Sequence, residues 1–317
     1  MSATPQFSKE TDTTGRFVRQ QSVFRDWVRA DGSTPYAPEA GRYHLYVSLA
    51  CPWAHRTVIV RQLKGLQDAI GMTVVDPIRD ERGWRFLPDE PDPLNGFTFL
   101  SEAYRVSDPG FDGRVTVPVL WDTRSGRIVN NESADILRML NAEFDGLDGV
   151  DRSFDLYPPA LRDEIDAVNE RVYDNVNNGV YQAGFASTQA AYEEAFDRVF
   201  ATLEWLDERL GSRRYLVGDG VTEADWRLFT TLVRFDPVYV GHFKCNLRRI
   251  ADFPNLSGYL RDLYQRPGIA GTVNLDHIKR HYYVTHRQIN GTGIVPKGPA
   301  LNWDAPHDRD RLGAATA

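Results

Sequence analysis

Cysteine is scarce in this chain: its 317 residues hold two, Cys51 and Cys245. A secreted disulfide framework normally carries more, so the pair points to a protein of the reducing cytoplasm. Positive charge is not in excess. Lys and Arg total 37 against 44 Asp and Glu, a formal net charge of -7. With no Lys/Arg run standing out, nothing supports non-specific binding to nucleic acid. No apolar stretch approaches the roughly 18 residues a membrane span needs. The polar opening from Met1 to Glu10 also lacks the apolar core of an export signal. There is no Gly-x-Gly-x-x-Gly after a strand pattern and no phosphate loop, which disfavours nucleotide cofactors. What remains is a globular composition, 42% hydrophobic and 26% charged, long enough for about two domains.

Residues 1–41 are polar, with Thr, Ser, Gly and Pro clusters and a short apolar patch from Val23 to Val28, and read as an extension laid over the surface. From Arg42 the pattern changes. Tyr43 to Leu49 is aromatic and β-branched, as in a strand, and Trp53 to Leu66 carries apolar residues at helical spacing. Met72 to Ile78, Val115 to Trp121 and Arg127 to Asn130 are further strand candidates, and Asn131 to Ala142 a helix. Between them, Arg79 to Gly113 is rich in Pro, Gly and Asp and reads as a long insertion with at most short helices. This alternation predicts an α/β layer domain over residues 42–147.

After about residue 147 the pattern is almost wholly helical. Leu161 to Asn178, Ala190 to Leu210 and a helix opened by Phe253-Pro-Asn-Leu have the expected spacing, and Gly211 suits a left-handed helix end. Thr222-Glu-Ala-Asp225 has the spacing of a capping box. Residues 148–317 are therefore expected to form an all-α domain ending in a Gly/Pro-rich tail.

Cys51 stands where a strand pattern ends and a helix begins, directly before Pro52, which suits the first helical position because its missing amide would be unpaired there. A thiol so placed faces the positive end of the helix dipole, which favours the thiolate, the nucleophilic form. Cys51-Pro-Trp-Ala54 is a single-thiol version of a dithiol redox turn, so a mixed disulfide formed on it needs an outside thiol to resolve it. Cys245 has no such setting and reads as structural. Pro118 cannot donate a ladder hydrogen bond, so it marks either an edge strand or a bend that presents Val117 to a ligand. His277, His281 and His286 are spaced four and five apart, but no carboxylate-framed zinc pattern accompanies them; they read as helix histidines, and no metal is expected.

Taken together, Ser48-Leu-Ala-Cys-Pro-Trp-Ala-His-Arg56, Gly113 to Asp122 with its Val117-Pro118, Asn130-Asn-Glu-Ser133 and Asn178 to Phe185 resemble a glutathione transferase. With Thr222 to Asp225, His281-Tyr-Tyr-Val-Thr-His286 and Ile294 to Pro299, they resemble more narrowly the Xi class, the glutathionyl-hydroquinone reductases. Thr285 departs from the serine more usual there. The resemblance covers about residues 20 to 300. It implies a thioredoxin-like glutathione-binding domain followed by an all-α domain, with glutathione as co-substrate, and a homodimer contacting through the helical domains.

The resemblance also implies roles. Cys51 is the working thiol. Glu132 and Ser133 hold the γ-glutamyl end of glutathione, Val117 pairs with the cysteinyl backbone, and Trp84 and Arg114 cover the glycyl end. Tyr181 and Tyr282 face the oxygens of an aromatic quinol in a pocket expected between the domains, with Tyr283 the alternative to Tyr282. On the residues alone, Glu132-Ser133 fits a plain helix cap, and either tyrosine fits ordinary packing. The implied reaction reduces glutathionyl-hydroquinones. An omega-like thiol transferase or dehydroascorbate reductase is the enzymatic alternative, and an interaction module without chemistry the non-enzymatic one.

Overall fold

The computed structural model describes residues 7–313, so residues 1–6 of the polar N-terminal stretch and residues 314–317 of the tail lie outside it. The chain packs as two units. One comprises Gln20–Asp155 and Gly271–His281; the other comprises the chain up to Arg19, Leu156–Ala270 and the chain from Tyr282 onward.

The first unit is built on a four-stranded sheet of β1 (Tyr43–Val47), β2 (Ile70–Val74), β3 (Val119–Asp122) and β4 (Arg127–Asn130). Their order is β2-β1-β3-β4. β1 runs parallel to β2 and antiparallel to β3, and β3 antiparallel to β4. The parallel pair is joined through α1 (Pro52–Leu63), as a parallel connection requires. Every residue of β1 is buried, so the strand has apolar or hydrogen-bonded residues on both faces rather than alternation. β2 begins two residues earlier than its sequence pattern suggests, because β1 sets its register, Tyr43 opposite Ile70 through Val47 opposite Val74. β3 starts only after Pro118, which cannot supply the donor an earlier rung would need. A buried Arg42 ties β1 to β3: its Nε and Nη2 donate to the two oxygens of Asp122 at 2.8 and 3.1 Å.

α2 (Leu100–Ser107) is the helix of the long insertion, and α3 (Ser133–Ala142), which packs against α1, follows β4. The N-terminal extension is more than a surface layer. Phe24 and Asp26 run beside β4, with the Asp26 amide donating to Val129 O and the Asn131 amide to Phe24 O, each at 3.0 Å. Val28 is fully buried behind them.

The second unit contains α4 (Arg162–Val172), α5 (Gly179–Gly184), α6 (Gln189–Ser212), α7 (Glu223–Arg234) and α8 (Pro254–Tyr264). α9 (Leu275–Thr285) contributes His281 to the sheet unit and Tyr282 to the helical one. Wide turns follow α4 at Tyr173–Asn177 and α7 at Phe235–Tyr239; such turns recur at functional sites. α6 does not end on a left-handed Gly211: it runs through that glycine to Ser212, and Arg213 leaves in an extended conformation, so no left-handed residue is required. The capping box forms as its spacing predicts. Asp225 accepts from the Thr222 amide at 2.8 Å, and, fully buried, also from the Leu216 amide at 2.9 Å and Tyr259 Oη at 2.7 Å. No described helix is long and apolar enough to cross a membrane.

Candidate active site

In the sheet unit the candidate groups stand at the ends of elements. Cys51 is the N-cap of α1, with an extended backbone (φ -80°, ψ 123°) and Pro52 at the first helical position. The chain must stop being a strand there, since Pro52 offers no amide to a ladder and its fixed φ suits a helix start. The thiol is half-buried and makes no disulfide. Its Sγ donates to the carbonyl of Val117 at 3.5 Å, across from the cis Val117-Pro118 bond. The thiol and the Val117 main chain are thus brought together although 66 residues separate them.

Glu132 and Ser133 open α3. Glu132 is the N-cap, and its Oε1 accepts from the Ala134 amide at 3.1 Å and from Ser133 Oγ at 3.4 Å. The plain-cap reading and the ligand reading therefore describe one geometry, because a helix N-terminus binds anions whether they belong to the chain or to a ligand. Ser133 is buried and its Oγ accepts from Nη1 of Arg56 at 3.3 Å. Arg56 itself is buried within α1, a placement that its position in the motif did not reveal. Trp84 is buried in the insertion and stacks on His281 with ring centroids 5.0 Å apart. The Arg79 guanidinium lies 5.5 Å from the Trp84 ring centroid, while His281 Nδ1 is fixed by the Pro77 carbonyl at 2.7 Å. Arg114 is half-buried, with its main chain held by the side chain of Gln20 at 2.7 and 3.3 Å.

In the helical unit the candidate groups are phenols carried by two separate helices. Tyr181, on α5, and Tyr282, on α9, share a hydrogen bond of 2.5 Å between their hydroxyls. A third phenol, Tyr239, lies 3.1 Å from the Tyr282 hydroxyl. Burial holds both Tyr239 and Tyr282 well above the ordinary phenol range, so each keeps its proton and can donate. Tyr283, by contrast, spends its hydroxyl on the Pro237 carbonyl at 3.2 Å. The phenols sit among Phe185, Phe243 and His286. Phe243 can approach because Gly184 has no side chain: a Cβ there would lie 2.2 Å from its ring. The Arg19 guanidinium covers the Tyr181 ring at 4.8 Å from its centroid while its Nε donates to Asn178 at 2.8 Å.

Tyr239 and Arg19 were not singled out by the sequence. Nothing local marks one tyrosine among 14, and only packing reveals Tyr239 as a member of the group. The other cysteine, Cys245, is fully buried in the helical unit. Burial pushes its thiol up to about 12, which fits an inert structural residue.

Known proteins match this chain over most of its length. The glutathione S-transferase N-terminal domain matches residues 50–143 and the glutathione S-transferase C-terminal domain residues 189–262. The glutathionyl-hydroquinone reductase YqjG of Escherichia coli is 54% identical over 94% of this chain and 93% of its own. Its glutathione-bound structure superposes with a TM-score of 0.88, covering 91% of this chain and 96% of that one at 55% identity. The glutathionyl-hydroquinone reductase PcpF of Sphingobium chlorophenolicum is 53% identical over 90% of each chain. A Xi class transferase from Natrialba magadii superposes with a TM-score of 0.89 at 52% identity, covering 91% of this chain and 89% of that one. A thiol capping the first helix of a thioredoxin-like sheet, an acidic-serine start to α3 and matches of this extent place the chain in the glutathione transferase superfamily, within its Xi class of glutathionyl-hydroquinone reductases.

Proposed function

We propose that this protein reduces glutathionyl-hydroquinones to hydroquinones with glutathione as co-substrate. The observation that carries the reading is Cys51 at the N-terminus of α1 with its thiol on the Val117 carbonyl. A nucleophile is thereby placed beside main chain that an extended tripeptide can pair with. Val117 takes the cysteinyl backbone of glutathione. Glu132 pairs with the γ-glutamyl ammonium, and Ser133 with the α3 N-terminus takes its carboxylate. Trp84 and Arg114 serve the glycyl end, Arg114 by charge and Trp84 by contact.

The Cys51 thiolate attacks the glutathione sulfur of the conjugate. A sulfur–sulfur bond forms and the carbon–sulfur bond breaks; its electron pair stays on the ring carbon, which takes a proton, and the hydroquinone leaves. Tyr181 and Tyr282 donate to the ring oxygens and favour the keto-like form from which the bond can break. A second glutathione thiolate then attacks the glutathione sulfur of the mixed disulfide, releasing Cys51 and oxidised glutathione. One conjugate and one glutathione thus give one hydroquinone and one glutathione disulfide.

The domain reading at residues 42–147 and 148–317, preceded by the extension, accompanies this proposal. So do a cytoplasmic location, with which the two unpaired cysteines agree, and a homodimer, which the family resemblance implies; sedimentation at micromolar concentration tests the dimer. The reaction is tested by mixing protein, glutathione and a menadione or benzoquinone conjugate and following free hydroquinone by chromatography. Rapid release, with one glutathionyl group on Cys51 in intact mass spectra when glutathione is withheld, supports the reading. No release, with robust turnover of small mixed disulfides or dehydroascorbate, replaces it with the omega-like one.

A further inference from the structure

The N-terminal extension touches two of the groups assigned to glutathione. Ser22 Oγ lies 3.0 Å from Glu132 Oε2 and 3.2 Å from the Asn131 carbonyl. A serine hydroxyl has one proton to donate, and the carboxylate, being charged, is the stronger acceptor. Oε1 of Glu132 is already engaged by the Ala134 amide and Ser133. Both carboxylate oxygens are therefore tethered, one by the helix that Glu132 caps and one by the extension, so the carboxylate plane is set before a ligand arrives. Two residues earlier, the Gln20 side chain accepts from the Arg114 amide at 2.7 Å and donates to its carbonyl at 3.3 Å. That is a strand-like rung supplied by a side chain, in a loop with no ladder of its own.

The extension can do this because it is fixed just downstream. Besides its two main-chain bonds beside β4, the Phe24 amide donates to Asn131 Oδ1 at 3.1 Å, and Arg25 pairs with Asp135. Asn131 in turn donates to Tyr104 at 3.1 Å and Thr116 at 3.3 Å, so the anchor reaches the buried part of the sheet unit.

The geometry points to Ser22 and Gln20 as positioning residues of the glutathione site, which makes the extension a working part of it: Ser22 presets the Glu132 carboxylate and Gln20 the Arg114 main chain. The inference rests on the assignment of Glu132 and Arg114 to glutathione. A side chain ordered in advance costs less to immobilise on binding, so losing the tether weakens binding of the glutathionyl group more than it slows the chemistry.

The test compares Ser22→Ala, Ser22→Thr, Gln20→Ala, Glu132→Gln and the Ser22→Ala/Glu132→Gln double variant in the full chain. Steady-state kinetics with glutathione and a menadione conjugate, glutathione titration calorimetry and thermal melting are read for each. Ser22→Ala is expected to raise KM and Kd for glutathione roughly threefold to tenfold with kcat within about twofold and an unshifted melting curve. Gln20→Ala should give a smaller rise of the same kind, and Ser22→Thr should restore the parent values. Glu132→Gln raises KM further, and the double variant is no worse than Glu132→Gln alone, since Ser22 acts through that carboxylate. If Ser22→Ala binds glutathione like the parent while Glu132→Gln does not, the positioning role is overturned and the glutathione assignment stands. Additive losses in the double variant also overturn it. If Glu132→Gln leaves binding intact, the assignment of Glu132 itself fails and takes the inference with it.

Discussion

The two units hold their candidate groups by different physical means. In the sheet unit, Cys51 and Glu132 are helix N-caps and Val117 is main chain leading into β3. Ends of elements leave amides and carbonyls to be satisfied and carry the helix dipole, so such groups acquire their environment from the direction of the backbone. In the helical unit, Tyr181, Tyr239 and Tyr282 are buried hydroxyls whose environment is made by one another and by the aromatic rings around them. The two cysteines show the same contrast: half-buried Cys51 at a helix start, and fully buried Cys245 with its thiol pushed up to about 12. End-of-element chemistry can be altered with little damage to the fold, whereas buried-hydroxyl chemistry is inseparable from packing.

Several experiments press on that contrast. The largest effect is expected from Cys51→Ser, which should lower hydroquinone release by at least about a thousandfold while leaving the melting temperature nearly unchanged. Cys245→Ala should do the reverse, keeping turnover and costing about 1–2 kcal/mol in urea unfolding. Next is Asp225→Ala, which strands the amides of Leu216 and Thr222 and the Tyr259 hydroxyl in a buried site. It should cost about 2–4 kcal/mol in urea unfolding. Tyr282→Phe should slow turnover about tenfold to a hundredfold, and Tyr283→Phe, whose hydroxyl is committed to Pro237, less than about twofold. Equal effects from the two would erase the distinction between them.

The smallest effect is the response of stability to acid. His44 in the sheet unit and His242 in the helical unit are each pushed down to about 4 by burial from an ordinary 6.5. Each is neutral in the fold near neutral pH, whereas the unfolded chain takes up the proton below about 6.5. Their contribution is therefore complete above that pH, declines as pH falls, and is lost by the time pH passes through about 4. Melting temperature should drop across this window, and His44→Gln and His242→Gln should each flatten the drop. A slope unchanged in both variants would falsify the assignment to these histidines.

How much was legible follows the same division. The positions of β1, α1, β4 and α3 and the capping box of α7 follow from patterns spanning a few residues, and so does Cys51 at a helix start. The early start of β2, the late start of β3 and the passage of α6 through Gly211 were not legible, because they answer to a partner strand or to the way the chain leaves the helix. In the site, Glu132-Ser133 could be read as a helix start, but the buried Arg56 on Ser133 and the Ser22 tether on Glu132 could not.

The sequence by itself determined where helices begin and which groups cap them, because a missing amide at Pro52 or a carboxylate three residues past Thr222 acts on its immediate neighbours. Only the tertiary structure decided which side chains meet: Cys51 with Val117 across 66 residues, Tyr181 with Tyr282 across 101, Ser22 with Glu132 across 110. Contacts at such separations depend on the register and packing of every element between them, and no local pattern encodes that.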